Sequence, residues 1–249
     1  MKTYYLTDPG KLRSHNEDSV TIIKNSSNEC LMVVADGMGG HRAGEVASSL
    51  AVTHLGTRFS KLASVGDEVD AFNWIKENIQ EVNNNIIKYA SERENATGMG
   101  TTVVLALLTK DFLVFGNIGD SSGYVLKSGK LHKVTKDHTL VNLLVEAGDL
   151  TEEEAAFHPK KNVLMKALGA SQKQEIDLFK IIDKDIEGIL LCSDGLTTML
   201  TKNQIEKVLV DEALSIEEKV EKLILKSNVR GGTDNISIAY LEKESGETL

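Results

Sequence analysis

Phe112-Leu113-Val114-Phe115-Gly116-Asn117-Ile118-Gly119-Asp120-Ser121-Ser122-Gly123-Tyr124-Val125-Leu126-Lys127-Ser128-Gly129-Lys130-Leu131-His132-Lys133-Val134 packs three strand-like runs into one short stretch. Phe112–Asn117, Gly123–Leu126 and Leu131–Val134 are rich in β-branched, aromatic and Leu side chains, and the turn-forming Lys127-Ser128-Gly129-Lys130 joins the last two. Strands this close together leave no room for a crossover helix, so they pair antiparallel. A doubly wound parallel sheet is thereby excluded.

Outward from this stretch, Val20–Ile23, Leu31–Ala35, Thr101–Leu108, Leu178–Ile182, Ile189–Cys192 and Ile236–Leu241 have the same apolar character. Helical spacing appears between them. From Gly44 to about Phe59 it is carried by Ala47, Leu50, Ala51, His54 and Leu55. From about Asp67 to Tyr89 it is carried by Phe72, Ile75, Ile79, Val82, Ile86 and Tyr89, a stripe suited to lying on a sheet. A further helix is expected from about Ile216 to Ser227. The fold class that follows is α+β: two packed antiparallel β-sheets with helices outside them.

The chain has 249 residues, 41% hydrophobic and 26% charged, with only two prolines and no linker-like segment. One domain over residues 1–242 with a polar tail at 243–249 is expected. Acidic residues outnumber basic ones 37 to 28, a net charge of −9, which argues against nucleic acid as a partner. The N-terminus turns polar before a secretory signal could form, and no apolar run approaches the roughly 18 residues of a membrane span. Cys30 and Cys192 sit inside apolar runs and read as small buried hydrophobes. A reducing cytoplasm, with no membrane insertion, fits these features.

The chemistry lies in where the carboxylates fall. Asp36 follows Met32-Val33-Val34-Ala35 and precedes Gly37; Asp194 follows Leu190-Leu191-Cys192-Ser193 and precedes Gly195. Asp120 closes one strand, Asp234 with Asn235 opens another, and Glu17 with Asp18 opens a third. One Asp-Gly after a strand is ordinarily a turn. Five such strand ends side by side would gather charges that cannot all stay ionised without a cation. No His or Cys pair has ligand spacing, so the cation is hard and oxygen-seeking: Mg²⁺ or Mn²⁺. Two such ions about 3.5–4 Å apart can share a hydroxide and clamp an in-line displacement at phosphorus. Glycine after a ligating Asp would let the chain turn sharply and offer its carbonyl. Arg13, four residues before Glu17, has the planar fork that grips a phosphoryl group.

Six segments carry a resemblance: Thr7-Asp8-x-Gly10-x-x-Arg13-x-x-Asn16-Glu17-Asp18, Val33 to Gly44 around Asp36-Gly37, Gly98-Met99-Gly100-Thr101-Thr102, Asn117-Ile118-Gly119-Asp120-Ser121, Ser193-Asp194-Gly195-Leu196 and Gly232-Thr233-Asp234-Asn235-Ile236. In this order they resemble the metal-dependent protein phosphatases of type 2C. The stretch from His158-Pro159 to Leu168-Gly169 is similar to the bacterial subgroup that reverses Hanks-type serine/threonine kinases. The resemblance implies a four-layer αββα sandwich and a serine/threonine phosphoprotein phosphatase acting through a water or hydroxide between two metals. It implies that Asp36 bridges the ions, that the Gly37 carbonyl binds one, and that Asp194 and Asp234 complete the other. Glu17 and Asp18 would act through metal-bound waters, and Arg13 would hold the phosphoryl group. Asp120 with Asp194 would hold a third, weaker ion. Residues from about 138 to 168 would form a flap, with Leu140, Leu143, Leu144 and Ala147 as its packed helix face and Asn162 near the third ion. Phosphorylated Ser/Thr proteins, a cognate kinase among them, would be the partners of a monomer.

Two positions depart from the pattern. Met38 stands where some relatives carry a His assigned as the acid, so no acid is assigned, although His41 lies close by in sequence. Ser122 replaces a frequent Arg. Three other readings compete. Gly119-Asp120-Ser121-Ser122-Gly123 fits the Gly-x-Ser-x-Gly of a serine hydrolase, but a nucleophile elbow needs a helix next, and a strand is expected here. Gly39 to Gly44 has P-loop spacing, but Glu45 stands where the Lys must be. A partner-binding module without activity would be expected to lose Asp36, Asp194 or Asp234, and all are present. His54 reads as a rim residue on a helix.

Overall fold

The computed structural model describes residues 1–40, 43–182 and 185–243. Strands β1 (Lys2–Asp8), β2 (Asp18–Lys24) and β3 (Cys30–Met38) precede helices α1 (Ala43–Ser60) and α2 (Glu68–Ser91). Five strands follow: β4 (Gly100–Thr101), β5 (Val103–Leu108), β6 (Leu113–Ile118), β7 (Ser122–Lys127) and β8 (Lys130–Lys133). After α3 (Leu140–Ala147) and α4 (Glu152–Phe157) come β9 (Asp177–Ile181) and β10 (Ile186–Cys192). Helices α5 (Asp194–Met199), α6 (Lys202–Leu209) and α7 (Ile216–Val229) lead to β11 (Ile236–Glu242).

One sheet has the order β1-β11-β10-β7-β8 and the other β2-β3-β5-β6-β9, with β4 paired to β3. Every pairing among the described strands is antiparallel. The period of two explains the layering. In β3, Leu31, Val33 and Ala35 pack with α1 and α2, while Cys30, Met32 and Val34 fill the gap between the sheets. In β10, Leu190 and Cys192 pack with α5–α7, while Ile189 and Leu191 enter the same gap. A strand buried on both faces has no polar side, which is why these runs read as continuously apolar. The result is the expected αββα sandwich.

The helices form for stated reasons. Asp67 caps α2 in a capping box with Asp70, and Ser215 caps α7 in one with Glu218. Ile75, Ile79, Val82 and Ile86 of α2 are buried against the sheet. Each contributes on the order of 2 kcal/mol, against a few tenths for a surface pair, so sheet packing fixes this helix. His54 is a rim residue whose Nε2 lies 3.3 Å from a Glu81 oxygen.

Several local expectations are corrected. The polar-looking N-terminus is β1, an edge strand paired to β11. Thr101–Leu108 is not one strand but two, broken at Thr102. Helices α5 and α6 lie in a segment with no expected helix. In α3 the buried residue is Val141, whereas Leu143 is 52% exposed, so the expected packed face is rotated. His41 lies outside the described residues, as does the tail beyond Lys243. Cys30 and Cys192 are buried free thiols. No described helix is long and apolar enough to cross a membrane.

Candidate metal centre

The acidic strand ends meet at one end of the sandwich. Asp18 and Asp36 are directly opposed in the β2–β3 ladder. Asp36 shares the face of Met32 and Val34, and Asp18 that of Val20 and Ile22, so both carboxylates aim into the gap between the sheets. Asp194 enters from the other sheet as the first residue of α5, its carboxyl beside that of Asp36. Asp234 precedes β11 and lies close enough to Asp194 to repel it. Asp120, after β6, is a charged neighbour of both Asp36 and Asp194. The structure thus brings together all five aspartates named from sequence, with Glu17 beside Asp18.

Gly37 does not make the expected sharp turn. It lies inside β3, paired with Thr101. Its glycine identity comes from crowding: a Cβ there would stand 2.1 Å from the Gly44 carbonyl oxygen and 2.5 Å from that of Glu17. Gly195 is under the same constraint, since its Cβ would meet the Asn235 oxygen at 2.0 Å.

Residues that sequence reading gave no role hold the frame. Ser193 sits at the N-cap of α5, yet its side chain makes no capping bond. It donates instead to Asp18 Oδ2 at 2.7 Å and accepts from the Ser237 N–H at 2.9 Å. Asn235 accepts from the Glu17 N–H at 2.8 Å and donates to the carbonyls of Pro9 and His15, fastening the Arg13 loop to β11. Thr102 accepts from the Asp36 N–H at 3.0 Å and pairs with Ser121 at 2.8 Å, linking the Asp36 and Asp120 strands. The only signal for Thr102, Asn235 and Ser193 was their place beside the acidic positions.

The electrostatics are unfavourable for bare carboxylates. Burial, then the charges of Asp18, Asp194, Asp120 and Asp234, hold the Asp36 carboxyl well above its ordinary range. Burial raises Asp18 to about 7 despite the bonds from Ser193 and Ser237. Asp194 rises to about 6 through burial and then Asp234, and Asp120 to about 7 through burial and then Asp194. Burial also raises Glu17, against the pull of Arg13. One oxygen each of Glu17, Asp18 and Asp194 is buried with no hydrogen-bond partner. Unpaired buried acceptors cost 1 kcal/mol or more each, roughly, unless a cation or water meets them. This donor set, all oxygen and strongly acidic, fits a hard divalent ion. Among the described residues no three His, Cys, Asp or Glu side chains already close around one point. An ion here would take few direct protein ligands and complete its shell with water, as Mg²⁺ favours.

Arg13 donates to Asp234 Oδ2 at 2.7 Å and is half exposed at the mouth of the site. A cavity of about 660 Å³ runs from Asp120 and Asp194 along α3 and α4, with Asn162 and Lys161 on its wall. Ser121 is fully buried and precedes β7 rather than a helix, so it is no nucleophile elbow.

A model of the protein phosphatase 2C family matches residues 12–229. The serine/threonine phosphatase stp of Listeria welshimeri is 40% identical over 243 residues, covering 98% of this chain and 96% of that protein. The crystal structure of the serine/threonine phosphatase Stp1 from Staphylococcus aureus superposes with a TM-score of 0.92 at 37% identity, covering 98% of this chain and 95% of that one. The catalytic domain of the phosphatase PstP, solved in complex with two manganese ions, gives 0.82 at 32% identity and 97% of both chains. With similarity running from end to end and the acidic strand ends gathered as described, this chain belongs to the protein phosphatase 2C family.

Proposed function

We propose that the carboxylate-lined end of the sandwich holds two divalent ions, Mn²⁺ or Mg²⁺, and that this is where the chain hydrolyses phosphomonoesters on protein serine and threonine side chains. The chain is a metal-dependent serine/threonine phosphatase by family. The observation that carries the site assignment is the set of buried, unpartnered oxygens of Glu17, Asp18 and Asp194 around Asp36.

Asp36, the Gly37 carbonyl, Asp194 and Asp234 would hold the pair. Such ions lower the pKa of a water between them and offset charge on the phosphoryl oxygens. The chain's own groups do the rest. The Arg13 guanidinium, poised at the mouth on Asp234, turns its fork to the phosphoryl oxygens and orients the ester. Glu17 and Asp18, with raised affinity for protons, sit where they can take or share a proton through an intervening water. Met38 has no proton to give, so no side chain is assigned as acid to the leaving group. Asp120, with Asp194 and Asn162 on the same cavity, would hold a third, weaker ion.

Phosphorylated Ser/Thr proteins are the substrates; the further proposal is that a cognate Ser/Thr kinase is among them, met in the cytoplasm by a monomeric enzyme. In this proposal residues 1–242 are one domain with a flap near 138–168. Acidic net charge supports the absence of nucleic acid from the partner set. The test is hydrolysis of a phosphothreonine peptide with Mn²⁺, before and after chelation. Turnover is expected to vanish with the chelator and in Asp36→Asn; an Asp36→Asn protein that still turns over would remove Asp36 from the centre.

A further inference from the structure

His138 stands where the flap leaves the sheet sandwich, one residue before the Thr139 N-cap of α3. Its side chain is only 9% exposed, and both ring nitrogens are used. Nδ1 accepts from the Gly119 N–H at 3.0 Å, so it carries no proton. The ring proton is therefore on Nε2, donated to Asp177 Oδ2 at 3.1 Å. The backbone repeats the tie: the His138 N–H donates to the Gly119 carbonyl at 2.9 Å, and the His138 carbonyl accepts from Met165 at 2.8 Å.

The other end of the flap reaches the same carboxylate. Lys166 Nζ lies 3.2 Å from Asp177 Oδ1. Burial pushes the Asp177 carboxyl up, and the bonds from His138 and Lys166 more than offset this, leaving it below its ordinary value. Asp177 opens β9 and pairs with Asn117 of β6, whose amide donates to the Gly119 carbonyl at 3.1 Å. The flap's entry and exit thus converge on one acid beside the strand that leads to Asp120.

Gly119 makes the connection specific. Its φ is +104°, and a Cβ would meet Thr102 Cγ2 at 2.5 Å, so this peptide has little freedom. The next residue is Asp120. We propose that His138 is a positioning residue that locks the Gly119 peptide and, through Asp177 and Lys166, both ends of the flap, so that the seat of the flap and the aim of the Asp120 carboxylate are coupled. The proposal rests on the assignment of Asp120 to the weakest ion made above.

The experiment titrates Mn²⁺ into chelator-stripped full-length protein, reading free Mn²⁺ by electron paramagnetic resonance. Hydrogen–deuterium exchange is followed over residues 139–167. The variants are His138→Asn, His138→Gln, Lys166→Met and Asp120→Ala. The Asn amide oxygen falls near Nδ1 and keeps an acceptor for Gly119. Gln reaches the Nε2 position and leaves the Gly119 N–H unpaired. His138→Gln is expected to weaken the weakest ion roughly tenfold, the loss of about one hydrogen bond. His138→Asn should hold that affinity within about threefold while exchange across the flap quickens. Lys166→Met, on a half-exposed side chain that touches neither Gly119 nor Asp120, should quicken exchange and weaken the same ion by about threefold.

A melting temperature lowered in the His138 variants, with ion affinity and flap exchange unmoved, marks a merely structural residue and overturns the proposal. If those variants do not fold, Lys166→Met decides alone: unchanged ion affinity overturns it. If Asp120→Ala binds as many ions as the parent, the third-ion assignment has failed instead, and the two failures are distinct.

Discussion

Replacing Asp120 by Asn should make the ion-free protein more stable, and the gain should grow with pH. Burial and the neighbouring Asp194 raise the Asp120 carboxyl from 3.8 to about 7 in the folded chain. Below pH 4 the acid is neutral folded and unfolded, and it has no effect. Between pH 4 and 7 the unfolded chain loses its proton while the folded chain keeps it, so folding stability falls as pH rises. Above about pH 7 both states are ionised and the full cost is present. At roughly 1.4 kcal/mol per pH unit, the ceiling is on the order of 4 kcal/mol. The side chain opens onto the cleft, so water screens the charge and about half of that is expected, on the order of 2 kcal/mol. For a chain of this size that is a melting temperature higher by about 4–8 °C. The assay is a set of thermal melts of exhaustively chelated parent and Asp120→Asn at pH 5 and pH 8. A gain equal at both pH values would attribute the effect to packing, and a loss at pH 8 would refute the electrostatic reasoning outright.

Arg13→Ala should raise KM for a phosphopeptide roughly tenfold while changing stability by less than about 0.5 kcal/mol, because its pair with Asp234 is largely exposed; steady-state kinetics showing an unchanged KM would free Arg13 from the substrate. Gly37→Ala should cost more than about 3 kcal/mol, since its Cβ meets backbone oxygens rather than a yielding side chain; denaturant unfolding that gives a near-parental midpoint would contradict the crowding described. Ser121→Ala should keep phosphatase turnover within about tenfold, and the parent enzyme should be insensitive to a serine-directed acylating agent, because the hydroxyl is buried against Thr102. Inactivation by that agent would revive a serine nucleophile.

The sheet layers were legible because β3, β5 and β10 are buried on both faces and therefore contain little besides apolar residues. Edge strand β1 was hidden for the opposite reason: Lys2, Tyr5 and Thr7 are exposed and no residue of the strand is fully buried, so no apolar run forms. Helix α5 has only six residues, four of them the poor helix formers Asp194, Gly195, Thr197 and Thr198, and is held by tertiary packing of Leu196. In α3 the apolar spacing was visible, but which side meets the protein depends on long-range packing, and there the sequence favoured the wrong face. The carboxylates of the site were readable from their shared place at strand ends. Their supports were not, because Ser193 meets Asp18 across 175 positions and His138 meets Asp177 across 39. Hydrogen bonds of that reach leave no local pattern.

The contact between Arg13 and Asp234 ties two ends of the chain, 221 positions apart, at the acidic end of the sandwich. On the roles proposed above, the acid that would serve an ion also holds the arginine that would serve the ester, so one exposed and easily exchanged pair joins the two tasks. Under that proposal an ion bound at Asp234 would release the guanidinium, and cation binding and ester capture would each favour the other.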